Sequence, residues 1–126
     1  MTDRELINAA SAASERAYAP YSGLRVGAAV ECEDGTVYTG SNVENAAFCD
    51  SICAEKVAIA KAVCDGNRNF RKLAVWAETD EYYMPCGSCR QFLSEFSRDT
   101  EILSSRYDGR YVSYRLSELL PRVYTK

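Results

Sequence analysis

The chain contains no histidine. That absence removes every mechanism in which an imidazole acts as base, as partner to a Ser or Cys nucleophile, or as metal ligand. Basic runs are missing as well: 15 Lys and Arg stand against 18 Asp and Glu, a net charge of −3. Non-specific nucleic-acid binding rests on neutralising phosphates, so a nucleic-acid partner is not expected. No stretch reaches the about 20 apolar residues that cross a bilayer. The start, Met1-Thr-Asp-Arg-Glu5, lacks the apolar segment of a secretion signal. No membrane partner is expected, and the anticipated compartment is the cytoplasm. Only three prolines punctuate the 126 residues, and neither a repeat nor a Gly/Ser-rich linker divides them. One domain over 1–126 follows, long enough to build a core without a metal to staple it.

What the chain does have is six cysteines. With no signal segment they read as thiols in a reducing compartment, serving a metal or filling a core. Their context depends on the elements around them. Thr2 and Glu5 form a capping box ahead of Leu6, Ile7, Ala10, Ala13 and Ala17, so a first helix runs to about Arg16. Arg25 to Glu31 alternates as a strand, Asp34-Gly35 marks a hairpin, and Thr36 to Thr39 returns. Cys53 to Cys64 reads as a helix ended by Asp65-Gly66, and Leu73 to Ala77 as a buried strand. Pro85 opens a third helix reaching about Phe96. Two strands, Ile102 to Tyr107 and Val112 to Arg115, flank Asp108-Gly109 before a last helical turn at Ser117 to Leu120. The order α-β-β-α-β-α-β-β-α predicts an α/β fold, a three-layer α/β/α sandwich around a mixed five-stranded sheet.

Two motifs carry chemistry. Cys53-Ala-Glu55 and Pro85-Cys86-Gly-Ser-Cys89 put three thiols at or near helix starts, where free N–H groups and the helix dipole favour thiolates. Three protein ligands leave a tetrahedral zinc one open position, and a carboxyl two residues beyond a ligand can move protons there. This order matches the zinc nucleobase deaminase signature, with Cys in place of the usual first His. A second reading stays open. Cys49 lies four residues before Cys53, so the four thiols could close a purely structural site. Cys32 and Cys64 read as small core residues.

Asn42-Val-Glu44-Asn45-Ala46, the two cysteine motifs with Arg90-Gln91, Tyr21-Ser22 with Arg25 to Ala29, and Glu118 to Pro121 together resemble the small, single-domain cytidine deaminases. The resemblance spans nearly the whole chain. It implies one zinc per subunit on Cys53, Cys86 and Cys89, with Glu55 as proton shuttle. It also implies ribose contacts from Asn42 and Glu44, and a base contact from the backbone of Ala54. The implied activity is hydrolytic deamination of cytidine and 2′-deoxycytidine to the uridines in pyrimidine salvage, by a homotetramer with composite sites. Rival readings are a deaminase of a modified cytosine nucleoside such as blasticidin S, and the non-catalytic four-cysteine module.

Several positions depart from the family's pattern. Lys56 follows the Cys-Ala-Glu motif where Arg is usual, and with Arg90 it is a candidate to offset the charge of three thiolates. Leu24 stands where Phe is usual, which trims the surface available for stacking on a base. Tyr124 takes the place of a C-terminal Phe that packs on the pyrimidine in a neighbouring subunit. Tyr82-Tyr83, just before the second cysteine motif, could line the entrance to the site, but a surface pair with its hydroxyls in water is the favoured reading.

Overall fold

In a computed structural model describing residues 1–126, four α-helices and five strands follow the expected order. They are α1 (Asp3–Ser14), β1 (Val26–Cys32), β2 (Val37–Ser41), α2 (Ala54–Cys64), β3 (Phe70–Ala77), α3 (Gly87–Ser94), β4 (Glu101–Ser105), β5 (Tyr111–Arg115) and α4 (Leu116–Leu119). A short 3-10 turn, Phe48–Asp50, interrupts the long segment between β2 and α2. The sheet order is β2-β1-β3-β4-β5, antiparallel except for the β3–β4 pair, which is parallel and joined by the α3 crossover. No helix is long and apolar enough to cross a membrane.

The three layers follow from strand alternation. Val26, Ala28, Val30 and Cys32 of β1 face Ala54, Ala58, Ile59 and Ala62 of α2, with Leu93 of α3 and Leu116 of α4 on the same side. Ala29, Ala74 and Leu103 point the other way, against Leu6, Ile7 and Ala10 of α1. The Thr2 capping box forms as expected: Glu5 N–H donates to the Thr2 hydroxyl at 3.1 Å, and Thr2 N–H donates to the Glu5 carboxylate at 2.9 Å.

Two glycines let helices lie unusually close to the sheet. A Cβ on Gly27 would fall 1.8 Å from the Ala10 carbonyl oxygen of α1. One on Gly40 would fall 2.7 Å from both Ala54 O and Ala58 N of α2. The second contact matters for function, because it seats the first turn of α2, which begins beside Cys53, directly on β2.

Some expectations shift. The first helix ends at Ser14 and the third at Ser94, each about a half-turn early. Pro85 does not open α3: it lies buried before the helix, and Cys86, in extended backbone, is the N-cap. Cys32 is buried as expected, whereas Cys64 ends α2 on an exposed face.

Candidate metal centre and cleft

The sheet brings the starts of two helices together. Cys53 is the N-cap of α2 and Cys86 the N-cap of α3, while Cys89 sits in the first turn of α3 and is buried. Neither N-cap cysteine makes a side-chain capping bond, so both sulfurs are free to face each other. The sulfurs of Cys53 and Cys86 are 3.9 Å apart, and all three sulfurs lie within 4.8 Å of one another. Zinc–sulfur bonds of about 2.3 Å at tetrahedral angles place sulfurs about 3.8 Å apart. The three thiols therefore fit zinc in both chemistry and spacing. Cys49, exposed on the 3-10 turn, lies outside this group, so the four-cysteine arrangement is not formed.

The three thiols hold their protons unequally. The Cys89 thiol donates to Cys53 and draws its partner's pKa down to about 6, while the same bond, burial and nearby negative charge hold the Cys89 proton firmly. The Lys56 ammonium adds to the depression at Cys53. Glu55, only 2% exposed, lies in the first turn of α2 beside these sulfurs. Burial lifts its carboxyl to about 7, and the neighbouring Cys53 charge pushes the same way.

Cys53, Ala54 and Glu55 border a cleft of about 470 Å³. Its other walls carry Leu24, Asn42 and Glu44, three of the positions singled out in the sequence. Asn42 braces the wall: its amide accepts from Val26 N–H at 2.9 Å and donates to the Leu24 carbonyl at 2.9 Å. Glu44 accepts from the N–H groups of Tyr21 and Ser22, both at 3.0 Å, and from the Ser22 hydroxyl. These bonds hold its carboxyl below the ordinary range, the Ser22 hydroxyl contributing most.

The remaining expected residues lie elsewhere. Lys56 donates to Ser88 Oγ at 2.6 Å across the α2–α3 junction and sits 5.9 Å over the Phe92 ring. Arg90 bonds to backbone carbonyls rather than to sulfur, with Nε donating to Pro85 O at 2.8 Å and an Nη donating to Leu119 O at 3.0 Å. It ties the loop before Cys86 to α4. Tyr124 is 72% exposed and away from this chain's own cleft, its carbonyl accepting from Gln91.

Tyr83 corrects the surface reading of Tyr82-Tyr83: it is half-buried and lines the cleft, while Tyr82 is exposed beside Arg106. Its phenol is pushed up to about 12, first by burial and then by the negative groups of the site. No local motif marks it. Its proximity to Pro85 was the available signal.

Comparison with known proteins bears on this constellation. The family model described as the cytidine and deoxycytidylate deaminase zinc-binding region matches residues 1–104. A cytidine deaminase of Sporosarcina psychrophila is 42% identical over 127 residues, covering 100% of this chain and 93% of its own. The crystal structure of a cytidine deaminase from Burkholderia pseudomallei superposes with a TM-score of 0.95 at 41% identity, covering 98% of this chain and 100% of that one. The Mycobacterium tuberculosis enzyme gives 0.86 at 34% identity, with full coverage of both chains. With the sulfur triad, the buried carboxyl and the five-stranded sheet in place, the chain belongs to the cytidine and deoxycytidylate deaminase zinc-binding family.

Proposed function

We propose that the protein hydrolyses cytidine and 2′-deoxycytidine to uridine and 2′-deoxyuridine with release of ammonia. The observation that carries this reading is the buried Glu55 carboxyl beside three clustered sulfurs on the border of a nucleoside-sized cleft. Zinc held by Cys53, Cys86 and Cys89 would supply the Lewis acidity that makes water nucleophilic at neutral pH.

The chain's own groups do the rest. Glu55 takes the proton shed by the attacking water and passes it to ring N3, which makes C4 electrophilic. Once the C4–O bond has formed, Glu55 takes the proton of the new C4 hydroxyl and passes it to the amine, which leaves as ammonia as the C4–N4 bond breaks and the C4 carbonyl forms. Burial favours the protonated form of this carboxyl, and the field of a bound ion would favour the carboxylate, so the two oppose each other at a group that must both take and give a proton. Asn42 and Glu44 offer the mixed donor and acceptor set a ribose needs, and the backbone at Ala54 faces the same cleft as the base edge. Lys56, two residues along α2 from Ala54, adds positive charge near Cys53 and Glu55.

The zinc-loaded protein should release one ammonia per cytidine, with zinc near one per chain. Glu55→Gln should keep zinc and lose at least about a hundredfold in kcat, since general acid–base help is typically worth about 10²–10⁴. Zinc binding without ammonia release from cytidine or deoxycytidine would overturn the reading; turnover of blasticidin S alone would redirect it to a modified nucleoside. The same reading makes 1–126 one catalytic domain working in the cytoplasm in pyrimidine salvage. It also makes the protein a homotetramer, with Tyr124 delivered to a neighbour's cleft. Exposed apolar side chains around the cleft, Tyr21, Phe48 and Ile52, support such an assembly.

A further inference from the structure

One side chain in the cleft wall connects two others. Ser22 lies in the segment between α1 and β1, in a turn closed by Gly23 N–H donating to Ala19 O at 3.0 Å. Its backbone N–H, together with that of Tyr21, occupies Glu44 Oε1, and its hydroxyl donates to Glu44 Oε2 at 2.5 Å. The same hydroxyl oxygen accepts from Leu24 N–H at 3.0 Å. Ser22, Leu24 and Glu44 all line the cleft.

Lone pairs decide what this leaves for a ligand. A carboxylate offers about four acceptor sites. Two backbone N–H groups fill Oε1 of Glu44, and the Ser22 hydroxyl takes one site on Oε2. One site remains, on an oxygen whose direction is set by the Ser22 hydroxyl. Without that hydroxyl Oε2 has no partner in the protein and Leu24 N–H loses its acceptor. The carboxylate can then turn about its last bond, because only Oε1 is still held.

Resting on the nucleoside reading above, we propose that Ser22 is a positioning residue for sugar recognition: its hydroxyl aims the Glu44 carboxylate at a sugar hydroxyl while fixing the adjoining cleft wall at Leu24. Its effect belongs to binding and not to the chemical step, since its hydroxyl bonds to Glu44 and Leu24 and to neither Glu55 nor the thiols. A role confined to holding the turn would weaken every ligand of the cleft alike. A role through Glu44 weakens only ligands that carry the sugar hydroxyls.

The test uses the zinc-loaded full chain and three variants. Ser22→Ala should raise KM for cytidine about tenfold, as expected for a lost hydrogen bond to a charged group, with kcat within about twofold. The competitive inhibition constant of 2′,3′-dideoxycytidine, which lacks both hydroxyls, should stay within about twofold. Ser22→Thr keeps the hydroxyl and should restore KM. An unchanged KM in Ser22→Ala, an equal loss for cytidine and the dideoxy compound, or failure of Ser22→Thr to recover would each overturn the proposal. Glu44→Gln separates this from the reading it rests on. If Glu44→Gln raises KM and Ser22→Ala does not, the positioning role fails alone; if Glu44→Gln also leaves KM unchanged, the sugar contact itself is wrong.

Discussion

At the scale of single residues, charge balance around the sulfurs is the sharpest issue. Three thiolates on a divalent ion leave the centre with one net negative charge, which weakens its hold on further anions and on water. The Lys56 ammonium is the positive group whose field reaches both Cys53 and Glu55. It is fixed by Ser88 Oγ and the Phe92 ring rather than by a bond to sulfur. Lys56→Met should therefore weaken zinc binding by about tenfold, read by chelator competition, a change of about 1.4 kcal/mol. Lys56→Arg keeps the charge and should leave turnover intact or raise it. Unchanged zinc affinity in the Met variant would show that the ammonium serves only the α2–α3 junction. The thiols and Glu55 were legible in the sequence because metal chemistry demands few residue types at short spacings. Ser22 stood in a matching motif without its bond to Glu44 being legible, and Tyr83 was read chiefly as a surface residue, because tyrosine and serine carry no such demand and their place depends on neighbours that the fold supplies.

At the scale of elements, the site depends on how closely α2 lies on β2. Gly40 permits that approach, and any Cβ there meets the backbone of the first turns of α2 at 2.7 Å. Backbone cannot swing aside as a side chain would. Gly40→Ala should cost about 1–3 kcal/mol in thermal or denaturant unfolding and loosen zinc as well, since the displaced helix carries Cys53 at its cap. A variant of full stability with normal zinc content would show that α2 slides without consequence. Element types could be read from periodicity, whereas the start of α3 could not. Proline favours the first helical position, and that preference pointed to Pro85. The chain instead stays extended through Cys86, which puts the N-cap on a ligand and both sulfurs of Cys-Gly-Ser-Cys on one turn.

At the scale of the whole molecule, the α1 layer is tied to the sheet by an ion pair as well as by its apolar face. Lys72 Nζ of β3 lies 2.5 Å from Asp3 Oδ1, and the Tyr111 hydroxyl of β5 donates to the other carboxylate oxygen at 3.1 Å. The Lys72 hydrogen bond is the main cause that holds the Asp3 carboxyl below its usual range. A depressed carboxyl contributes stability above its unfolded pKa and loses it as pH falls through the folded value. Asp3→Asn should therefore cost about 0.5–1 kcal/mol at pH 7, discounted for partial exposure. That deficit should shrink as pH drops below about 4, where the unfolded carboxyl begins to take up its proton, and disappear below the depressed folded value. Urea unfolding at pH 7 and pH 3 checks it; a deficit independent of pH would assign the loss to packing.

The spacing of the three sulfurs along the chain has a consequence for the order in which the site is assembled. Cys86 and Cys89 are neighbours on one turn, whereas Cys53 is 33 residues before Cys86, with α2 and β3 in between. Closing that longer loop costs more chain entropy, and it requires β3 to take its place between β1 and β4. Zinc uptake followed during refolding should thus begin at the local pair of sulfurs, with Cys53 joining only as the sheet closes.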